Sequence, residues 1–207
     1  MYWFTPEVCD LGYYKEIRPI DSVNQLAKID LNANTVQVSH WPFYWTRPQV
    51  CIVPSDNVIL VAPLGDRRVK YGTPEYIPST LIWVRYPDFE PIDSLKLPGM
   101  PEEMAYVHAK HKVYIRTSDA RDGLKTGVAV VDVNTHKMIR FMDIDCTEIR
   151  YVGHDRLAAI IYSGPVRAAD KKQLLLIDTD TDQVVTTFDG IFDRIAHDAA
   201  IERFERL

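Results

Sequence analysis

Chemistry in this chain would have to come from six histidines, three cysteines and a few acid clusters, and their spacing limits what they can do. His40, His108, His111, His136, His154 and His197 are scattered. His108 and His197 fall at comparable places in the repeat described below. Two imidazoles do not make a metal centre, so hydrogen-bonded turn histidines are expected and no metal is assigned. Cys9, Cys51 and Cys146 are an odd set without C-x-x-C spacing, which argues against a disulfide framework and a structural zinc site and fits a reducing cytoplasm. "DIDCTE" (Asp143 to Glu148) crowds three acids around Cys146; nearby negative charge raises a thiol pKa and makes the sulfur less nucleophilic. Ser, Asp and His form no recognisable nucleophile–base grouping. "GDRRVKYG" lacks the G-K-[ST] ending and following helix of a phosphate loop. No catalytic residue and no cofactor is assigned.

Binding residues are easier to find. "WPFYWTRP" puts Trp41, Phe43, Tyr44, Trp45 and Arg47 into one connection, with prolines that stiffen it and so reduce the entropy lost on binding. Trp, Tyr and Arg dominate binding hot spots because they combine large contact area with polar tips. Tyr13, Tyr14, Lys15 and Arg18 lie in a second long stretch, and Arg67, Arg68, Lys70 and Tyr71 in a third. Both are mixed aromatic and basic, suited to a carboxylate-rich or phosphate-bearing partner. The competing uses are plugging a narrow centre, for the Trp-rich segment, and ordinary solvated loop charge, for the others.

Something must hold these loops. The 207 residues are 46% hydrophobic, enough for a substantial core, and the net charge of −5 is spread without long runs of one sign. Neither nucleic acid nor an anionic membrane is an obvious partner, and a protein partner is expected. No apolar run approaches the roughly 18 residues of a membrane span, and no basic start followed by an apolar stretch marks an export signal, so a cytoplasmic protein is expected.

A repeat supplies the scaffold. "LAKIDLNANTVQV", "LIWVRYPDFEPID", "VAVVDVNTHKMIR" and "LLLIDTDTDQVVT" begin at Leu26, Leu81, Val128 and Leu174, 55, 47 and 46 residues apart. Each is an apolar run, a polar turn and a second run. Between them recur "VCIVPSDNVILV" (from Val50), "MAYVHAKHKVYI" (from Met104) and "IRYVGHDRLAAI" (from Ile149), with Val53, Val107 and Val152 each ahead of a turn. Alternation, β-branched content and turn residues predict strands, four to a unit. Units of this length and make-up predict an all-β fold, a small β-propeller of about four four-stranded blades. The units cover approximately residues 2–48, 49–102, 103–146 and 147–190 of a single domain, with a closing segment at 191–207. Ile29, Val84, Val131 and Ile177 are equivalent third-strand positions expected between blades.

The segments "KVYIRTSDARDG" (112–123), "VAVVDVNTHKMI" (128–139) and "LLLIDTDTDQVV" (174–185) resemble the YVTN-type β-propeller repeat. The match is good over the last two units, moderate in the second and confined to the hairpin of the first. The resemblance implies the fold, and possible kinship with lactone-hydrolysing or surface-layer propellers. It transfers no catalytic residue, because none of those families' residues can be placed here position by position.

The repeat also accounts for the chain ends. "MYWFTP" aligns with second strands, so the first unit lacks an inner strand, while "FDRIAHDAA" from Phe192 aligns with the inner strand "TEIRYVGHD". The ends are therefore expected to pair and close the ring, leaving no open edge. A monomer closed this way, a strand-exchanged homodimer with eight blades, and a fragment completed by another polypeptide are the possible layouts. "HDAAIERFERL" has a helix-like pattern, with Asp198 as N-cap and Glu202 four residues before Arg206, so a short C-terminal helix is expected. Function is expected to be non-enzymatic protein binding, as an inhibitor, immunity protein or adaptor. The alternatives are a small-molecule hydrolase or lyase in the central channel and half of a two-chain propeller.

Overall fold

The computed structural model describes residues 2–5, 24–30, 35–41, 46–53, 56–64, 79–86, 90–118, 124–162 and 172–190. The expected C-terminal helix and closing strand lie outside them. Among the described residues fifteen strands form four antiparallel sheets. The first has three strands, β1 (Tyr2–Thr5), β2 (Asn24–Asp30) and β3 (Thr35–Trp41). The second runs β4 (Thr46–Val53), β5 (Val58–Leu64), β6 (Thr80–Arg85) and β7 (Glu90–Lys96). The third runs β8 (Met100–Val107), β9 (Lys112–Ser118), β10 (Gly127–Asp132) and β11 (Lys137–Met142). The fourth runs β12 (Cys146–Gly153), β13 (Arg156–Tyr162), β14 (Lys172–Asp178) and β15 (Gln183–Gly190). Strand order follows chain order in every sheet, and β1 takes the place of a second strand, as its alignment predicts.

The second, third and fourth sheets stack face to face, which explains why their middle strands read as unbroken apolar runs. In β10, Ala129 and Val131 turn toward Trp83, Leu81 and Leu60 of the second sheet. Val128 and Val130, one residue out of phase, turn toward Ile149, Leu157 and Ile177 of the fourth. A strand buried on both sides needs no polar face. Val84, Val131 and Ile177 are all fully buried, as expected of their register; the side chain of Ile29 lies outside the described residues.

Irregularities repeat as faithfully as strands. The pairing of third with outer strand slips at Trp83/Val84, Val130/Val131 and Leu176/Ile177, one aligned position in three sheets. Inner strands slip too, between Thr46 and Gln49, Pro101 and Glu103, and Cys146 and Glu148. A bulge adds an unpaired residue and bends its strand, and it lets Pro48, which has no N–H to give, sit within β4. Backbone hydrogen bonds from Tyr86 to Asn57 (2.8 Å), Val133 to His111 (2.8 Å) and Thr179 to Asp155 (2.9 Å) tie together the two tight turns of each four-stranded sheet. Asn57, His111, His136, His154, Asp155 and Asp182 take the left-handed backbone these turns require, a conformation Asn, Asp and His tolerate better than other side chains.

Candidate functional site: a charged cleft on the inner strands

The bulges place a ring of polar side chains where three sheets converge. Gln49, Glu103 and Glu148 occupy the same position, four residues before Val53, Val107 and Val152. Each directly follows its strand's bulge. With Glu102, Thr147, Arg150 and, from the second strand β9, Arg116, they line a cleft of about 360 Å³.

Its charges are largely paired. Arg116 donates from Nη1 to Glu102 Oε2 (2.5 Å) and to the Cys146 carbonyl (3.4 Å), and its Nε lies 3.7 Å from Glu103 Oε2. Arg150 Nε donates to Glu148 Oε1 at 2.7 Å. Glu103 Oε2 also accepts the backbone N–H of Ile149 at 2.8 Å, so one carboxylate bridges third and fourth sheets. Burial holds the Glu103 carboxyl above the ordinary range, although the Ile149 N–H and Arg116 pull the other way. Arg116 Nε is a buried donor that makes no hydrogen bond. Three carboxylates and two guanidiniums give these described walls one excess negative charge.

The thiols are not part of the site. Cys146 begins β12 and is buried, and burial above all pushes its thiol up to about 12. Burial likewise raises Cys51 to about 11. "DIDCTE" therefore contributes a core sulfur and one cleft acid, Glu148, and the raised thiol owes more to burial than to the neighbouring acids. Among the described residues no three of His, Cys, Asp and Glu group so as to hold a metal ion. His136 stacks on Trp83, and His111 lies 3.8 Å from Asp56.

Of the residues proposed from sequence for binding, Trp41 ends β3 and Arg47 lies in the bulge of β4, so "WPFYWTRP" is shared between two strands and a short connection. Tyr13, Tyr14, Arg18, Phe43, Tyr44, Trp45, Arg67, Arg68 and Tyr71 lie outside the described residues. The cleft was missed, although its signal was available: an acid or amide recurring in phase with a strand-ending Val.

No protein-family model and no curated protein sequence matches the chain. Solved structures do. Hydrazine synthase of Kuenenia stuttgartiensis is similar with a TM-score of 0.59 at 13% identity, over 81% of this chain and 43% of that chain. Dihydro-heme d1 dehydrogenase NirN, in complex with DHE, gives 0.58 at 8%, over 85% and 37%. Both are β-propeller-type proteins, so this chain has a propeller-like, all-β fold. It spans less than half the length of either match, and at these identities the likeness concerns fold alone. No helix among the described residues is long and apolar enough to cross a membrane.

Proposed function

We propose that the chain is a four-bladed propeller closed by its own two ends, acting as a non-enzymatic module that binds another protein through its long-loop face. Support for closure comes from the outward faces of the stack. Ile59, Val61, Ile82 and Val84 point away from the third sheet, and Ala158, Ile160 and Leu176 away from it on the other side, yet none is more than 7% exposed. Three sheets with open ends would leave both rows in water. The first sheet, supplied with an inner strand by the segment at 191–196, is the cover this reading assigns to both.

The observation that carries the binding reading is the asymmetry of the two faces. In every sheet the connections at one end are tight, two to four residues between strands. At the opposite end β1 joins β2 through residues 6–23, β5 joins β6 through 65–79, and β13 joins β14 through 163–171. Long loops on a rigid scaffold are the usual carriers of recognition. Tyr13, Tyr14, Arg18, Arg67, Arg68 and Tyr71 belong to two of these connections, and Trp41 and Arg47 flank the short link at the same end. Paired charges in the cleft favour a structural hub over an acid–base pair.

The test is cross-linking of the purified chain in extract of its native host, followed by mass spectrometry. Cross-links should fall on the long-loop end, and Arg67→Ala with Tyr71→Ala should lose the partner while Asp180→Ala keeps it. A partner held by the tight turns overturns the reading. A small-molecule hydrolase or lyase in the channel is the second reading, favoured by the half-buried carboxyl of Glu103, which burial holds above the ordinary range. An esterase and lactonase screen decides it, turnover abolished by Glu103→Gln being the supporting result. Light scattering of a monomer would sink both strand exchange and a split propeller.

A further inference from the structure

We propose that the cleft between the inner strands binds a small zwitterion carrying one further positive charge, of the basic α-amino acid class. Three features lead there. The lining is wholly polar and of both signs, which suits a ligand that is itself both cation and anion and gives an apolar ligand nothing to bury against. The walls hold Glu102, Glu103 and Glu148 against Arg116 and Arg150, so a ligand of net charge +1 balances the site. Finally, the buried Nε–H of Arg116 makes no hydrogen bond, its facing carboxylate oxygen Glu103 Oε2 standing 3.7 Å away, so this pair is held by charge and is not closed by a direct bond.

The assignment of groups follows from access. Arg150 is the more open cation, its side chain 34% exposed against 18% for Arg116, so it meets the ligand carboxylate first. Glu148 and Glu103, on adjacent inner strands, face the ammonium. Gln49, their uncharged equivalent on β4, offers both a donor and an acceptor to either end. At about 360 Å³ the cleft sits near the lower end of the roughly 300–1,000 Å³ range of small-molecule sites, which suits one amino acid rather than a peptide.

This inference is independent of the partner-binding reading, because the loops and the cleft are altered by different substitutions. Isothermal titration of the full chain with L-arginine, L-lysine, cadaverine and acetate tests it. Saturable binding of L-arginine or L-lysine is expected, stronger than that of cadaverine, with acetate silent. Arg150→Gln should weaken the amino acid about tenfold and leave cadaverine unchanged, as loss of one charge-assisted contact would. Glu148→Gln should weaken both, each variant first matched to the parent by circular dichroism and melting temperature. Absence of saturable heat with every probe overturns the proposal, and so does binding that neither variant alters.

Discussion

Two interfaces between neighbouring sheets are pinned at equivalent turns, and they are fastened by different chemistry. Where the second sheet meets the third, Trp83 reaches across to donate from Nε1 to the Val133 carbonyl at 3.1 Å. His136 of that turn stacks on the Trp83 ring, centroids 4.5 Å apart, and its Nδ1 lies 2.5 Å from Asp93. Where the third meets the fourth, the equivalent turn residue is Asp182. Tyr114 donates to it at 2.5 Å, and Lys112 reaches both its oxygens (3.1 and 3.0 Å) and the Thr179 carbonyl (2.9 Å). One joint is an aromatic stack with an exposed polar clip, the other a buried ion pair. The lesson is that the repeat dictates where blades are pinned and leaves the means free.

Removing the ring that makes the first joint should have the largest effect. Trp83→Ala empties a fully buried site and is expected to cost about 3 to 5 kcal/mol, read as a fall in the denaturant midpoint. Next comes Lys112→Met, which strands the Asp182 carboxylate, itself only 7% exposed; about 3 kcal/mol is expected, and restoration of stability by adding Asp182→Asn would sharpen the contrast. Truncating Val131 at the first interface, Ile177 at the second, or Val84 on the opposite face of the second sheet to Ala should each cost about 2 to 4 kcal/mol. Near-zero values at all three would mean that faces, not joints, had been misread.

Titration separates the joints further. In the fourth-sheet joint burial pushes the Tyr114 hydroxyl up, and burial raises Cys146 to about 12 and Cys51 to about 11. These groups keep their protons in the folded chain at pH values where the unfolded chain releases them. Stability is therefore complete below the ordinary thiol range and falls as pH rises through about 8.5 to 12. Melting curves across that window should show the fall, flatter in Cys146→Ala. The smallest effect belongs to the first joint: the hydrogen bond from His136, then that from the Ser94 backbone, hold Asp93 below the usual carboxylate range. That contribution is present above about pH 4 and lost as pH drops. A slight acid-side loss in melting temperature, reduced in His136→Ala, is the expected signature.

How much of this could be read from the chain depends on whether neighbours in sequence or in space carry the signal. Alternation in "VAVVDV" and the Asp-led turns gave the strands and hairpins directly: Asp132 Oδ1 accepts the N–H groups of Asn134 (2.9 Å) and Thr135 (2.8 Å), and Asp178 those of Asp180 (3.0 Å) and Thr181 (2.9 Å). "DTDTD" at 178–182 even has the alternating acids of a calcium loop, yet Arg156, Lys110 and Lys112 each occupy one of them. Those cations come from a preceding strand or sheet, so nothing local announces them. Bulges were equally silent, since one extra residue in a strand leaves composition unchanged. Arg47, reckoned a loop residue, belongs to β4 for that reason.

The recurrence of those bulges has a consequence for the history of such a chain. Both slips fall at fixed places in the three four-stranded sheets, so each of these units carries its own correction of phase. A whole blade can therefore be duplicated or excised without turning any other inside out. Loss of a single paired residue such as Arg150 has no such licence, because it exchanges interior for exterior along the rest of its strand.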